Sequence, residues 1–213
     1  MSTAMIDDVQ GSQMLVGGKW MGRTEVIAVR NSYDGEVIGR IPKGTVEDVR
    51  SAIDAAVQAF AQEFPLHARY DVLMKAAATV DGRREEYAQI IAREGSKTIR
   101  EARREPVRAA NILRLAAEEG RRLTGETLPF DSRVGSENRV GYYFRFPVGI
   151  VSAIIPFNDP LALSAHNIGP AVAAGNSIVV KPSILTPLSV LMLARDLMEA
   201  GLPQGRLSVI TGH

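Results

Sequence analysis

Residues 146–213 decide the fold of this chain: FPVGIVSAIIPFNDPLALSAHNIGPAVAAGNSIVVKPSILTPLSVLMLARDLMEAGLPQGRLSVITGH. Their hydrophobic pattern predicts, in order, strand 149–155, helix 161–174, strand 177–180, helix 187–200 and strand 207–210. Gly175 and Gly201 follow the two helices, where a helix C-cap often requires a positive φ. Strands that alternate with helices through short links form parallel, right-handed βαβαβ units. The sequence therefore predicts an α/β fold with a partial doubly wound parallel sheet of about three strands.

Helices are predicted on the amino-terminal side of this stretch. Thr45 caps a segment whose apolar residues recur at helical spacing, and Asp48 stands three residues later, as in a capping box. Further helices are predicted over residues 66–80, 84–94 and 99–123, with Pro106 near a helix start or at a kink. The residues expected to form the buried face of the first helix are Val46, Val49, Ile53, Ala56, Val57 and Phe60.

Short strands and turns are predicted on both sides of these helices. Residues 15–16 and 26–29, with Gly17 and Gly18 between them, indicate an early hairpin or meander, and Asp34 with Gly35 indicates a second tight turn. Residues 124–139 are polar and rich in turn formers, which predicts a loop, and the alternating aromatic residues 140–146 predict a strand. We therefore divide residues 1–213 into small strands and helices (1–123), a loop with an extended strand (124–146) and a Rossmann-like βαβαβ unit (147–213).

The composition limits the kinds of partner. The net charge of the 213 residues is +1 with charges of both signs interspersed, which argues against nucleic acid or an anionic membrane. The first twenty residues lack the pattern of a signal peptide, and the longest apolar stretch, residues 148–156, is too short to cross a bilayer. With no cysteine and three scattered histidines, the sequence predicts neither disulfides nor a metal site. We expect a cytoplasmic protein.

Two polar signatures follow predicted strands of the parallel sheet, where open α/β sheets bind their ligands. Asn158 ends the segment Pro156-Phe157-Asn158, and a side-chain amide at that junction can donate a hydrogen bond to an oxyanion. Lys181 and Ser183 follow the second strand, where a cation can reach a ribose hydroxyl or a phosphate. On spacing alone, an asparagine that caps a helix is the commoner case, and a lysine that extends from the sheet end into solvent explains Lys181 equally well.

Taken together, these motifs resemble those of the aldehyde dehydrogenase superfamily, in the amino-terminal, cofactor-binding-domain portion. They follow the order of the family over residues 13–212. The matching segments are Ile155-Pro156-Phe157-Asn158, Gly169-Pro170-Ala171, Ala174-Gly175-Asn176, Lys181-Pro182-Ser183 and Thr186-Pro187-Leu188, with Gly18-Lys19-Trp20, Asp34-Gly35-Glu36-Val37-Ile38, Glu94-Gly95-Ser96-Lys97 and Gly125-Glu126 upstream.

The resemblance implies the amino-terminal part of an NAD(P)-dependent aldehyde oxidoreductase. It implies that Asn158 is the oxyanion-hole amide and that NAD or NADP is the cofactor. Residues 140–146 would belong to the family's oligomerisation element. The residues implied to contact the cofactor are Ile155, Pro156 and Phe157 on the nicotinamide-ribose side, and Lys181 and Ser183 at the adenosine ribose.

Three departures from the family pattern shape the expected function. The chain ends before the family's phosphate-binding glycine turn, glutamate base and nucleophilic cysteine, and thiohemiacetal formation needs a thiolate. Ile184 stands where many members have a ribose-binding glutamate, and Asn167 stands where a lysine is common. The expectation is a truncated chain that is not a self-sufficient dehydrogenase, and one version of it is half of a split enzyme.

Two other interpretations stay open. The first is a repurposed small-molecule-binding or non-redox protein that acts through the crevice between Asn158 and Ser183 or through a dimer cleft. The second is a remnant without a function of its own. In every case, an unpaired strand at the end of the sheet and apolar surface turned towards a missing domain are expected to attract a partner. We therefore expect a homo-oligomer, or a second chain over the exposed sheet edge, with residues 140–146 pairing across a dimer.

Overall fold

The computed structural model describes residues 13–213. The strands are β1 (Met14–Val16), β2 (Lys19–Met21), β3 (Val26–Arg30), β4 (Val37–Pro42), β5 (Glu126–Leu128), β6 (Gly141–Tyr143), β7 (Ile150–Ile154), β8 (Ser177–Lys181) and β9 (Leu207–Val209). The helices are α1 (Val46–Phe60), α2 (Leu66–Gly82), α3 (Arg84–Gly95), α4 (Ile99–Ala102), α5 (Arg104–Gly120), α6 (Pro160–Ala173) and α7 (Leu188–Glu199), with a short 3₁₀ turn at Phe130–Ser132.

The predicted βαβαβ unit is present, and it lies in a larger sheet than expected. Strands β7, β8 and β9 pair in parallel, as predicted. The amino-terminal hairpin β1–β2 then adds antiparallel to β9, so that the sheet has five strands in the order β2-β1-β9-β8-β7. Gly175 and Gly201 have φ of 86° and 99°, which confirms their positions as glycines that end α6 and α7.

The open edge of the parallel strands is β7, the first strand, and this corrects the expectation of an unpaired strand at the end of the unit. β9 lies between β8 and β1, whereas β7 pairs only with β8 among residues 13–213. Doubly wound sheets grow outwards from their first strand in both directions, and the order 3-2-1 leaves the position beside strand 1 free. The apolar side chains exposed along this edge are Val148 (84%), Ile150 (37%) and Ile154 (79%).

Helices cover both faces of the sheet because successive side chains of each strand point to opposite sides. On β8, Val179 packs against a small cluster formed by Met14, Val16, Ala52 and Ile210, on the side of α1. The neighbouring residues Ile178 and Val180 belong to the main core, to which α6 and α7 also contribute. The core therefore lies mainly between the sheet and the layer of helices α2, α5, α6 and α7.

The buried face of α1 differs from the predicted one. Thr45 and Asp48 form the predicted capping box, but the side of the helix turned to the protein carries Ala52, Ala56 and Ala59. Alanine is favoured on this side because the backbone at Gly205 lies close to the helix. A Cβ placed on Gly205 would lie 2.7 Å from the carbonyl oxygen of Ala55. The larger residues of the predicted face are 37–69% exposed, namely Val46, Val49, Ile53, Val57 and Phe60.

The other helices agree with the predictions, except that one predicted helix is divided into two. The single helix predicted over 99–123 is two helices, α4 and α5, which meet at Arg103, and Pro106 lies in the first turn of α5. Proline is tolerated there because the backbone N–H groups of a first turn have no partner within the helix. A Cβ on Gly169 of α6 would lie 3.1 Å from the Cβ of Ala116 on α5, so these two helices pack at close range.

The hairpins also differ from the sequence expectation. The partner of β1 is β2, across Gly17 and Gly18, while β3 pairs with β4 across the predicted turn at Asp34 and Gly35. The predicted loop 124–139 contains β5, which pairs with β6. Residues 141–143 of the predicted strand 140–146 therefore have a neighbouring strand within the chain. The second edge of β6 has no partner within residues 13–213, and Tyr142, Phe144 and Phe146 beside it are 65–81% exposed.

Within residues 13–213, no helix combines the length and the apolar character needed to cross a bilayer.

Candidate functional site

The two polar signatures meet at the carboxyl ends of β7 and β8. Ile154 and Lys181 are register partners at the ends of these strands. The backbone N–H of Ile155 donates to the carbonyl oxygen of Lys181 at 2.9 Å, which extends the pairing by one residue. The loops that carry Asn158 and Ser183 therefore leave the sheet side by side.

The predicted site residues differ in their exposure. Pro156, Phe157 and Asn158 are exposed, and Phe157 is 59% exposed. The side chain of Ile155 is 2% exposed and belongs to the main core, so only its backbone can face the crevice. The exposed aliphatic side chain at this strand end is that of Ile154.

The residues after β8 form a compact turn. Lys181 and Ser183 are half-buried, and the Ser183 Oγ accepts a hydrogen bond from the backbone N–H of Leu185 at 3.2 Å. Lys181 forms no ion pair with any residue from 13 to 213, so no described carboxylate neutralises its charge.

The two departures from the family pattern lie in the elements that follow these strands. Asn167 is exposed on α6, and its Nδ2 donates to the carbonyl oxygen of Leu163 at 2.8 Å. Ile184 is half-buried in the turn after Ser183.

Asn158 does not cap α6, because a distant carboxylate does so. The Oε1 of Glu105, on α5, accepts hydrogen bonds from the backbone N–H groups of Leu161 at 2.9 Å and Ala162 at 3.1 Å. The N-cap residue is Asp159, whose side chain makes no capping hydrogen bond. The simpler interpretation of Asn158 as a helix cap is therefore wrong, and its exposed amide remains available.

A second distant carboxylate caps α7 in the same way. Glu94, the penultimate residue of α3, accepts hydrogen bonds from the N–H of Leu188 at 2.7 Å, the N–H of Ser189 at 3.0 Å and the Oγ of Ser189 at 2.5 Å. A carboxyl oxygen at a helix N-terminus is favourable because it accepts from N–H groups that have no partner within the helix. Both helices that follow the strands of the crevice thus begin at a glutamate supplied from elsewhere.

The two capping carboxylates are set in different electrostatic surroundings. Full burial raises the pKa of Glu94 to about 7, against the lowering effect of its hydrogen bonds, and the nearby Glu105 adds to the increase. Lys97 contacts Glu105 at 2.7 Å and Asp159 at 2.5 Å, and Arg108 contacts Asp159 at 2.7 Å. Burial opposes the charge of Asp159, but hydrogen bonds from Lys97 and Arg108 outweigh it and lower the pKa of this carboxyl.

Glu94 leads to a prediction about stability and pH. A carboxyl whose pKa is raised from 4.5 to about 7 on folding keeps a proton that the unfolded chain has already released. Its contribution is therefore fully present below pH 4.5 and is lost as the pH rises through about 7, an effect of about 3 kcal/mol. We expect Glu94→Gln to remove this dependence, since an amide does not ionise.

The measurement is urea unfolding of the wild type and of E94Q at several values between pH 5 and pH 8. The stability of the wild type relative to E94Q should fall by about 2–3 kcal/mol across this range. Glu63→Gln, at an exposed position, is the control and should leave the pH profile unchanged. Parallel profiles for the wild type and E94Q would contradict the prediction.

Sequence reasoning missed the roles of Glu94, Lys97, Glu105 and Asp159. The capping residues are separated from the amides they bind by 56 and 94 positions, so no local pattern links them. The only signal was the segment Glu94-Gly95-Ser96-Lys97, which matched the family without a role attached to it.

Comparison with known proteins agrees with the fold. Residues 20–213 match the sequence model of the aldehyde dehydrogenase family. A 3-sulfolactaldehyde dehydrogenase from Priestia aryabhattai is 46% identical over 199 residues, which are 93% of this chain and 42% of the relative. The chain thus spans less than half the length of this curated relative.

Solved structures show the same relationship. An aldehyde dehydrogenase from Brucella melitensis biovar abortus 2308 superposes with a TM-score of 0.90 at 34% identity, covering 97% of this chain and 43% of that one. An NADP-dependent glyceraldehyde-3-phosphate dehydrogenase from Bacillus halodurans C-125, complexed with NADP, gives a TM-score of 0.89 at 34% identity, with 95% and 44% covered.

Proposed function

The chain belongs to the aldehyde dehydrogenase family, and we propose that residues 13–213 supply the oxyanion donor and one side of the cofactor site of an NAD(P)-dependent aldehyde oxidoreductase. The observation that carries this proposal is the release of Asn158 from capping. Because Glu105 satisfies the N–H groups of Leu161 and Ala162, the exposed Asn158 side chain is not tied to the start of α6 through its Oδ1, and its Nδ2 donors can turn towards a ligand at the carboxyl end of β7.

The chemistry proposed for Asn158 is stabilisation of negative charge. Attack of a nucleophile on an aldehyde carbon turns the carbonyl oxygen into an oxyanion, and a fixed amide donor lowers the energy of that state. Donors of this kind are worth about 3–4 kcal/mol in catalysis when they are held in place before the reaction. Asn158 would hold the substrate oxygen, and it would neither accept nor release a proton.

The same strand ends are the proposed site for one side of a dinucleotide. Lys181 carries a positive charge that no described residue neutralises, at the strand ends where doubly wound sheets bind such ligands. We propose that Lys181 and Ser183 contact the adenosine ribose, while Pro156, Phe157 and the backbone of Ile155 line the nicotinamide-ribose side. NAD or NADP would supply a hydride acceptor for the substrate carbon when bound. The bound NADP of the structural relative from Bacillus halodurans supports this assignment.

Under this proposal the nucleophile comes from sequence other than these residues. A covalent aldehyde adduct requires a thiolate or another activated nucleophile, and the 213 residues contain no cysteine. Under this proposal the chain is not a self-sufficient dehydrogenase. It acts together with further sequence that carries the nucleophile and a base, either as part of the same polypeptide or as a second chain. The free edge of β7 is where such sequence would add its first strand.

Assembly and location are part of the same proposal. The apolar side chains beside β6 support association through the hairpin β5–β6, because exposed patches of this kind mark interfaces. We propose an oligomer, or a pair of different chains, in the cytoplasm.

Cofactor binding tests the proposed function directly. Calorimetric titration of NAD⁺ and NADP⁺ into the chain should show binding of at least one of them. Lys181→Ala should weaken that binding by about ten- to a hundredfold, because a hydrogen bond from a charged group is worth about 1.5–3 kcal/mol. Lys75→Ala, an exposed lysine on α2, serves as the matched control and should bind as the wild type does.

The outcome separates two functions. If the wild type binds neither nucleotide, or if K181A and K75A bind equally well, the cofactor assignment is wrong. The repurposed binding protein then becomes the better account, and Asn167 and Ile184, which depart from the family pattern, favour it.

A further inference from the structure

The segment Glu94–Lys97 touches the beginnings of both helices that border the crevice. Glu94 caps α7, just beyond the turn that carries Ser183. Lys97, three residues later, bonds to Asp159, the residue directly after Asn158. Between them, Ser96 ends α3 with φ of 55°, the left-handed conformation that reverses the chain after a helix. One short segment therefore contacts both sides of the crevice.

We propose that Lys97 is the positioning residue for Asn158, and this inference rests on the proposed role of Asn158 as the oxyanion donor. Lys97 holds the loop through the carboxylate of Asp159 and is itself held by the buried carboxylate of Glu105.

At the start of α6, Glu105 takes the capping role that the N-cap residue Asp159 would normally have. An aspartate at an N-cap normally accepts a hydrogen bond from the second or third N–H of its own helix. Here Glu105 accepts from Leu161 and Ala162, so the Asp159 carboxylate is free to turn outwards. It receives Lys97 at 2.5 Å and Arg108 at 2.7 Å. The side chain of Asp159 thus anchors its own backbone to α5 and to the turn after α3.

Lys97 is the better anchor of the two cations. Its side chain is 19% exposed, whereas that of Arg108 is 50% exposed. Ion pairs held away from water keep their geometry, while exposed pairs contribute little. Burial opposes the charge of Lys97, but its hydrogen bonds with Asp159 and Glu105 outweigh it and raise its pKa. Lys97 therefore stays charged at neutral pH and joins a fixed point on α5 to the residue beside Asn158.

A precise position matters for an oxyanion donor. Its contribution depends on the donor being fixed where the charge will develop, since any reorganisation during the reaction reduces the gain. Asn158 makes no hydrogen bond of its own to another residue in the described chain. Its backbone is held from one side by the pairing of Ile155 with Lys181 and from the other by Asp159.

The test is NMR relaxation of the 213-residue chain without any cofactor. In the wild type, the backbone amides of Asn158 and Asp159 should have order parameters of about 0.85. In Lys97→Met, which keeps the aliphatic stem and removes the charge, they should fall below about 0.6, and the Asn158 Nδ2 signals should shift. The ion pairs line an open cavity of about 320 Å³, so this change leaves no sealed void.

Three variants complete the experiment. Lys97→Arg keeps the charge and should restore most of the rigidity, which a general loss of packing would not allow. Arg108→Met should have a smaller effect than K97M. Lys43→Met removes an ion pair with Glu25 of the same 2.5 Å length at a remote site and should leave Asn158 unchanged.

Unchanged order parameters in a folded K97M would overturn the proposal, as would equal effects of K97M and K43M. If K97M does not fold, Asp159→Asn answers the same question, because it removes the far partner of Lys97 and leaves the Glu105 cap intact. The readout needs no nucleotide, so a chain that binds neither NAD nor NADP still reports whether Lys97 holds Asn158. Failure of the proposed function and failure of this inference are thereby distinguished.

Discussion

Replacing Glu105 by alanine is expected to lower the free energy of unfolding by about 3–5 kcal/mol. Glu105 is 3% exposed. Its loss leaves the N–H groups of Leu161 and Ala162 without an acceptor and removes one of the two carboxylates around Lys97. Each buried polar group without a partner costs about 1–3 kcal/mol, and half of a buried ion pair adds to this.

Denaturant unfolding followed by circular dichroism measures the effect. Glu105→Gln keeps one acceptor oxygen for the helix and should lose less stability than E105A. Glu85→Ala removes a carboxylate from a half-exposed ion pair with Arg103 and should leave the midpoint nearly unchanged. A loss below about 1 kcal/mol for E105A would mean that water or Asp159 takes over the cap, and Asn158 would then not owe its freedom to Glu105.

Asp196→Ala is expected to cost about 2–4 kcal/mol, for a related reason in a different part of the core. Asp196 on α7 is fully buried and accepts a hydrogen bond from the Tyr87 hydroxyl on α3 at 2.6 Å. It also pairs with Arg83. Without the carboxylate, the buried Tyr87 hydroxyl has no acceptor, whereas Arg83 retains Glu86. Most of the cost therefore comes from the tyrosine and from the space left behind.

A double-mutant cycle separates these contributions. Tyr87→Phe alone should cost about 1 kcal/mol, and Y87F with D196A should cost less than the sum of the single changes, because no hydroxyl is then left unsatisfied. Asp54→Ala, at an exposed position on α1, is the control. Additive effects in the cycle would show that the hydroxyl finds another partner in D196A.

The parts of the fold that depend on neighbouring residues were predictable. The hydrophobic pattern of residues 149–210 predicted the three parallel strands and the two helices that connect them. Thr45 with Asp48 predicted the capping box at the start of α1. Local spacing records these features because a strand repeats every two residues and a helix about every 3.6.

The parts that depend on distant residues were not predictable from spacing. The large apolar residues of α1 predicted the buried face of this helix. The helix instead buries its alanines, because the backbone at Gly205 lies too close to α1 for larger side chains. The hairpin β1–β2 joins the sheet through the pairing of Leu15 with Val209. These two residues lie near opposite ends of the sequence, so the local pattern around either strand does not predict their pairing.

The candidate site also has features that the sequence predicts and features that arise only in the folded chain. The order of residues alone specifies which groups the crevice offers, since Asn158, Lys181 and Ser183 follow strands whose carboxyl ends meet at one edge of a parallel sheet. The freedom of the Asn158 amide, by contrast, arises only in the folded chain. It depends on Glu105 reaching the first turn of α6 and on Lys97 holding Asp159, contacts between residues 56 and 62 positions apart. A helix must satisfy its first N–H groups whatever its sequence, and which side chain does so is settled by packing in three dimensions.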